Sequence, residues 1–246
     1  MRALVTVSLS AFVLLGATAL GCASEKPVDT GVDNNPQGDA ATGDSSTVNA
    51  VATNPDGVAY PSDNLGVRAK AATRGDRFPN LGFLGYKNDV ASVVVTKKSS
   101  LDSVSMANYY DPEGKRYKII HIIASSVWCG PCNAETDELN TIAEELAAEK
   151  VIIIQAMIDG PKQGVGATQK DLDSWILNKE NRFTTFLDPN VEKLGEFFKA
   201  GAVPWNADID ARSMEILKAE VGAPADVKGS ILKWTKWYDS NPSSYK

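Results

Sequence analysis

The second half of the chain combines two hydrophobic patterns. Ile119–Ile123 and Val151–Ile158 are almost unbroken apolar runs, which are typical of strands buried on both faces of a covered parallel sheet. Between them, apolar residues recur at the helical spacing i, i+3, i+4, i+7, at Leu139, Ile142, Ala143 and Leu146. The pattern therefore predicts a strand, a helix and a second strand parallel to the first.

Further elements are predicted downstream by the same reasoning. They are a helix around Leu172, Trp175 and Ile176, a strand Phe183–Leu187, a helix Val191–Lys199, strands Ala207–Asp210 and Glu215–Val221, and a final helix striped by Val227, Ile231, Trp234 and Tyr238. Alternating strands and helices that end in two adjacent strands and a helix predict an α/β three-layer sandwich with a central mixed sheet.

The N-terminus has the pattern of a targeting segment. Arg2 is followed by a nearly continuous apolar run, so residues 1–21 are predicted to be a signal peptide. Ala19–Ala23 resembles the lipobox of bacterial lipoproteins, although its Leu stands one place late. That resemblance implies an acylated Cys22 and a membrane-anchored protein facing the periplasm or exterior. A plain secretory signal and an uncleaved helical anchor remain alternatives, and all three place the protein outside the cytoplasm.

A polar segment separates this run from the rest of the chain. Residues 22–72 are rich in Asp, Asn, Gly, Ser and Thr and lack periodic apolar positions. Such a segment buries too little apolar surface to offset its chain entropy, so a disordered tether is predicted. Residues 73–246 are predicted to form one domain.

Composition narrows the possible chemistry. The chain of 246 residues is 43% hydrophobic and 23% charged, which is ordinary for a soluble domain. Its net charge of −6 does not favour nucleic acid as a partner. The single histidine, His121, lies inside an apolar strand and is interpreted as a structural residue with a local hydrogen bond. With one histidine and three cysteines, no metal site and no cofactor are expected.

The most specific motif is Trp128–Cys132, which lies between the first buried strand and the first helix. A helix N-terminus favours an anion, so Cys129 is predicted to cap the helix, face solvent and act as the nucleophilic thiolate. Cys132, one turn further, would resolve the mixed disulfide, and Pro131 presets the backbone for the first helical turn. An inert disulfide is the alternative, but so short a loop gives little stabilisation.

Four segments together resemble the thioredoxin fold, and within it the TlpA/ResA-like thiol–disulfide oxidoreductases attached to bacterial envelopes. They are Arg74–Pro79 with a turn at Gly82–Gly85, Ala124–Glu135, Leu187–Pro189, and Gly201–Pro204 followed by Ile209 and Asp210. The resemblance implies a thioredoxin-like sandwich. The chain departs from thioredoxins proper at Ile123, where those proteins carry a buried acid, and at Trp205, where a Thr is common.

The same resemblance implies roles for individual residues. Glu135 would assist proton transfer at the thiols, with an ordinary helix N-terminal acid as the alternative. Val203 would offer its backbone to a substrate beside a cis-Pro204, and Trp128 would form an apolar lip around the sulfurs. Gly130–Pro131 is typical of reductants. The predicted function is an envelope-tethered reductase of protein disulfides, recycled by an unidentified thiol reductant.

Three other functions stay open on the sequence alone. A disulfide oxidase or isomerase would use the same pair with a different reduction potential. A peroxidase is suggested by Ser126, three residues before Cys129, as in a peroxiredoxin Thr-x-x-Cys. A copper-binding module resembling Sco proteins would need a wider Cys spacing and a distal His, and no His follows His121.

Overall fold

The computed structural model describes residues 49–61, 76–96 and 100–241 of the chain. The predicted signal peptide and Cys22 lie outside the described residues, as do Arg74 and Gly75. Seven strands and three α-helices make up the described part: β1 Gly82–Tyr86, β2 Asp102–Ser105, β3 Ile119–Ser125, α1 Gly130–Ala148, β4 Val151–Met157, α2 Gln169–Lys179, β5 Thr184–Leu187, β6 Trp205–Asp210, β7 Ile216–Val221 and α3 Val227–Ser240. Among these described helices, none is long and apolar enough to span a bilayer.

The strands form one mixed sheet in the order β2-β1-β5-β4-β3-β6-β7. The central strands β3, β4 and β5 run parallel, and every other neighbouring pair is antiparallel. This is the thioredoxin-like α/β architecture expected from the sequence. The two apolar runs are confirmed as the central strands β3 and β4, and every residue in both is buried.

Alternation along β3 separates the two faces of the sheet. Ile119 and Ile123 pack with α1 and α3, and α2 covers the same face further along, where Trp175 packs near Met157. Ile120 and Ile122 point into the opposite cluster, which is covered by short 3-10 turns and loops. The helices predicted from Leu139, Leu172 and Val227 are confirmed as α1, α2 and α3.

The prediction of a regular helix over Val191–Lys199 is wrong. Only short 3-10 turns occur there, Pro189–Val191 and Leu194–Glu196. The buried Asp188 carboxylate explains the difference, because its two oxygens accept the backbone N–H groups of Lys193 and Leu194 at 2.9 and 3.0 Å. Those donors are therefore satisfied by a side chain rather than by a continuous helical ladder.

Gly82–Gly85, predicted as a turn, instead belongs to strand β1. β1 pairs with β2 on one side and with β5 on the other. A Cβ on Gly85 would lie 2.4 Å from the Thr185 carbonyl oxygen, so the glycine permits the close approach of β5. Phe83 stacks on Phe186 at 4.1 Å between ring centroids, which holds the same pair of strands together.

Residues 49–61, which the sequence assigns to the tether, contact the domain in the structure. Asn54 is buried and donates to the Tyr110 carbonyl oxygen at 3.0 Å. The Tyr60 hydroxyl donates to the Phe78 carbonyl oxygen at 2.6 Å, and its ring packs against the core cluster. A few large or amide-bearing side chains therefore attach this polar stretch to the domain.

Candidate active site

The two cysteines of the motif are joined at the start of α1. Cys129 and Cys132 form a disulfide with an S–S distance of 2.06 Å and a Cα–Cα distance of 5.3 Å. Strand β3 ends at Ser125, and Cys129 is the N-cap of α1. The buried strand thus delivers the pair to a helix N-terminus at one end of the sheet.

Backbone groups at the helix start hold the first sulfur. Cys129 Sγ accepts the Cys132 N–H at 3.2 Å. Pro131 lies in the first turn, where an N–H group would have no partner within the helix, so nothing is lost by its lacking one. The Asn133 side-chain amide fixes the loop by donating to the carbonyl oxygens of Val127 and Cys129 at 3.2 and 2.8 Å. The predicted cap is present, and the helix dipole favours negative charge at this sulfur.

Cys129 is less accessible than the sequence predicted. In the disulfide it is 2% exposed and Cys132 is fully buried, so the expectation that Cys129 faces solvent is wrong for the oxidised protein. The exposed part of the motif is Gly130 and Pro131, with Trp128 half-buried beside them. A partner would first meet this surface and would reach the sulfurs through it.

Val203 and Pro204 lie against the disulfide. The peptide bond between them is cis, as the resemblance implies. The Val203 carbonyl oxygen is 3.6 Å from Cys129 Sγ, although the two residues are far apart in sequence. Pro204 is buried, and Val203 is half-buried at the surface next to the motif. The structure thereby brings Val203, Pro204 and the cysteine pair into one site.

Trp128 is fixed by a residue that the sequence analysis missed. Its indole Nε1 donates to Asp159 Oδ2 at 3.1 Å, and the same oxygen accepts the Gly164 N–H at 2.9 Å. Asp159 lies two residues after the end of β4, and parallel β3 and β4 end at the same edge of the sheet. The sequence signal was available in the aspartate that follows the second buried strand.

Glu135 occupies an unusual environment for a carboxylate. It lies one turn after Cys132 on α1, is 2% exposed, and neither carboxylate oxygen has a hydrogen-bond partner among the described residues. Burial raises the pKa of Glu135 to about 7, while His121 and the Asn206 amide act in the opposite direction. At that pKa the group can exchange protons near neutral pH.

Two further buried polar groups lie behind the site. Gln155 of β4 donates to Ser125 and Thr136 at 3.0 and 2.8 Å and accepts from Trp175 Nε1 at 3.0 Å, which ties the start of α1 to the sheet and to α2. His121 Nδ1 lies 2.8 Å from Asp208 Oδ1. The expected hydrogen bond of His121 is therefore present, but it is not local in sequence, because its partner is 87 residues away on β6.

Ser126, which suggested a peroxidase, has a structural role in this arrangement. It is fully buried, and its Oγ accepts the Asp159 N–H at 3.3 Å. That contact joins the loops that follow β3 and β4. In the described ranges, no cluster of three or more His, Cys, Asp or Glu side chains has the geometry to hold a metal ion.

The chain thus combines a thioredoxin-like fold with a Cys-x-x-Cys disulfide that caps α1. No protein-family model matches the chain, and no curated protein matches it in sequence. Solved structures are similar to it. The thioredoxin domain of a thiol-disulfide oxidoreductase from Bacteroides vulgatus is 13% identical, with a TM-score of 0.47 over 66% of this chain and 98% of that one.

A secreted thiol-disulfide isomerase from Corynebacterium glutamicum is 15% identical, with a TM-score of 0.49 over 72% of this chain and 95% of that one. AhpC from Mycobacterium tuberculosis is 14% identical, with a TM-score of 0.49 over 70% and 95% of the two chains. With identities of at most 15% and TM-scores below 0.5, these likenesses carry no argument about function, which has to be argued from the site.

Proposed function

We propose that this protein is a thiol–disulfide oxidoreductase that reduces protein disulfides through Cys129 and Cys132. The observation that carries the proposal is the bonded cysteine pair at the N-terminus of α1, with the Cys132 N–H directed at Cys129 Sγ. A disulfide in so short a loop contributes little to stability, whereas this position favours a reactive thiolate. Redox exchange therefore explains the arrangement better than a structural cross-link does.

The first step uses Cys129 in the reduced protein. Its thiolate attacks one sulfur of the substrate disulfide, a new S–S bond forms to Cys129, and the other substrate sulfur leaves as a thiolate. The Cys132 N–H and the positive end of α1 stabilise the thiolate of Cys129 before attack. Cys129 is assigned as the nucleophile because its sulfur lies at the cap, where it accepts the Cys132 N–H.

The second step needs the Cys132 proton to be removed. Glu135 takes this proton, and the resulting thiolate attacks Cys129 Sγ, forms the protein disulfide and releases the second substrate thiolate. A carboxylate with a pKa of about 7 suits a base at neutral pH. The protein has then lost two electrons to the substrate, and an external thiol reductant must restore the dithiol.

The surface around the pair supports a protein substrate. Gly130 and Pro131 are exposed, and the Val203 carbonyl oxygen lies 3.6 Å from the reactive sulfur. A carbonyl at this position offers an acceptor to the backbone of an extended peptide that carries the substrate cysteine. Trp128, anchored by Asp159, adds a half-buried apolar edge.

Substituting Cys132→Ser tests the exchange directly. The variant retains the nucleophile but not the resolving thiol, so substrates should remain covalently bound to Cys129. Mass spectrometry of non-reduced envelope extracts should recover these mixed disulfides from Cys132→Ser and none from the double variant with Cys129→Ser. Finding no adducts, together with no reduction of insulin by the wild type, would reject the proposed function.

The direction of exchange is tested by equilibrating the wild type with glutathione buffers. No basic side chain stands between the cysteines, so we expect a potential closer to the roughly −270 mV of thioredoxin than to the roughly −120 mV of DsbA. A value near the oxidising end would indicate an oxidase or isomerase in place of a reductase.

We also propose that an acyl group on Cys22 attaches the protein to a bacterial envelope membrane. The apolar run after Arg2 and the lipobox-like Ala19–Ala23 support this. Full-length wild type expressed in a bacterium should fractionate with membranes, and Cys22→Ser should not. Cys132→Ser is the matched control, because it changes a cysteine elsewhere and should leave membrane attachment intact.

A further inference from the structure

A group of buried polar side chains interrupts the apolar layer between the sheet and α1. It comprises Glu135 of α1, His121 of β3, and Asn206 and Asp208 of β6, each at most 4% exposed. Their surroundings on this face are aliphatic and include Ile119, Ile123 and Leu139. We call these four residues the buried polar cluster.

Sheet register brings the three strand residues together, and α1 packs Leu139, one turn after Glu135, with Ile119 and Ile123 on the same face. β3 and β6 are antiparallel, with His121 opposite Asp208 and Ile123 opposite Asn206, so these side chains point to the same face. The Asp208 carboxylate accepts the Nδ1–H of His121 at 2.8 Å, which fixes the ring and leaves Nε2 as its free nitrogen. Nε2 is buried and has no hydrogen-bond partner among the described residues.

The same lack of partners is found at Glu135. Both its carboxylate oxygens are buried without a hydrogen bond of ordinary geometry within the described ranges, and the Asn206 amide is only close enough to lower the pKa as a weak donor. Burying a carboxylate with so little hydrogen bonding is costly. An apolar side chain would pack here at lower cost. Unpartnered ionisable groups one helical turn from a reactive sulfur are characteristic of functional sites.

Other elements contribute further charges around the cluster. Glu138 lies one turn along α1 and is exposed, and on β7 Lys218 and Glu220 lie opposite Asp208 and Asn206 and form an ion pair. The residues that α3 buries are Val227, Ile231, Thr235 and Tyr238, none of them Lys, Arg, Asp or Glu. Glu138 and Glu220 raise the pKa of Glu135, and His121 lowers it.

We propose that His121, held by Asp208, is a positioning residue that keeps Glu135 able to accept the Cys132 proton at neutral pH. The inference rests on the proposed function and adds a device to it. His121 acts by favouring the ionised form of Glu135, and its own hydrogen bond is to Asp208 rather than to a cysteine. It opposes the effect of burial, so that the carboxylate form remains available when the resolving step requires it.

The test follows the pH dependence of the resolving step in reduced wild type, His121→Gln and Asp208→Asn, with oxidised glutathione as the disulfide. Without the imidazole, Glu135 holds its proton to higher pH. The acid limb of the profile, where the rate of the resolving step falls as pH decreases, should therefore move to higher pH in His121→Gln. We expect a shift of about half to one pH unit, hence roughly three- to tenfold slower resolution at pH 6, with no loss at pH 9.

Asp208→Asn gives a second, sign-sensitive result. If Asp208 acts by orienting His121, its loss should also move the limb upward, and adding it to His121→Gln should change nothing further. If Asp208 mattered only as a nearby negative charge, the limb would move downward, which would overturn its assigned role. Asp210→Asn is the matched control, because Asp210 is a buried carboxylate of β6 that pairs with Arg212. It should not move the limb.

The outcomes separate this inference from the proposed function. A wild type that does not reduce glutathione disulfide or insulin would reject the function itself. If the wild type is active, and His121→Gln and Asp208→Asn fold and show the same acid limb of the pH–rate profile as the wild type, only the role of His121 is overturned. If His121→Gln does not fold, His121→Asn and Asp208→Asn apply the same criterion, with circular dichroism as the check on folding.

Discussion

Among single residues, Glu135 has the most unusual environment, and it is the residue to which we assign the resolving proton transfer. An exposed acid in the first turns of a helix would be stabilised as a carboxylate, whereas Glu135 is buried against the sheet and its pKa rises to about 7. The sequence leaves Glu135 either as a proton acceptor or as an ordinary acid at the helix N-terminus, and only the first interpretation requires the side chain to be buried. The observed burial favours a proton acceptor for Cys132 over a simple helix N-terminal acid.

Substituting Glu135→Gln should therefore slow the resolving step. The amide keeps the shape but cannot take the Cys132 proton, and positioned bases contribute about 10²- to 10⁴-fold. We expect at least a roughly tenfold loss at pH 7, with accumulation of the Cys129 mixed disulfide in stopped-flow and mass-spectrometric measurements. Glu149→Gln, at an exposed site at the C-terminal end of the same helix, is the control, because Glu149 does not act on Glu135. Equal rates in all three proteins would contradict the role.

How much of the site the sequence predicts depends on the separation of its residues. Cys129, Pro131 and Cys132 lie within one turn, so their spacing and the flanking apolar patterns were sufficient. His121 and Asp208 pair between neighbouring strands, 87 positions apart, and Trp128 and Asp159 pair between the loops that follow β3 and β4, 31 positions apart. Their contacts follow from strand order and register, which periodicity alone does not specify.

At the scale of elements, the close pairing of β1 with β5 depends on Gly85. A Cβ at this position would meet the Thr185 carbonyl oxygen and the Phe186 backbone at 2.4 and 2.5 Å, so Gly85→Ala must push the strands apart. We expect a loss of about 1–3 kcal/mol in the free energy of unfolding, measured by urea denaturation of the oxidised protein.

Gly195→Ala is the matched control, because a Cβ there meets nothing within 4 Å. Its stability should stay within about 0.5 kcal/mol of the wild type or rise slightly. If Gly85→Ala were as stable as Gly195→Ala, β5 would not need the glycine, and the close approach of the two strands would require another explanation.

The elements that the sequence predicted correctly are those whose own residues carry the pattern. β3 and β4 are continuous apolar runs, and α1, α2 and α3 each show an apolar stripe. β1 and β2 were missed because one contains two glycines and the other is mostly polar, and their pairing depends on neighbouring strands. The helix predicted after Asp188 does not form, because the Asp188 carboxylate accepts the backbone N–H groups of Lys193 and Leu194, and this contact is not visible in the spacing of apolar residues.

For the whole molecule, the buried Glu135 links folding stability to pH. Its pKa is raised from 4.5 to about 7, so below about pH 4.5 it is protonated in both the folded and unfolded states. Between these values only the folded state keeps the proton, and stability falls as pH rises. Above about pH 7, Glu135 is ionised in both the folded and unfolded states. By then the free energy of unfolding has fallen by about 3 kcal/mol in total through this group.

Comparing Glu135→Gln with the wild type isolates this contribution, since the other titrating groups are common to both proteins. The free energy of unfolding is measured with urea on the oxidised proteins at pH 4 and at pH 8. The value for Glu135→Gln minus that for the wild type should increase by about 3 kcal/mol between the two pH values. Glu149→Gln removes an exposed acid at the C-terminal end of α1 that does not act on Glu135, and it should not reproduce this change. A constant difference for Glu135→Gln as well would mean that Glu135 ionises as an ordinary acid. The buried carboxylate could not then serve as a base near neutral pH, and the acid limb attributed to it would belong to another group.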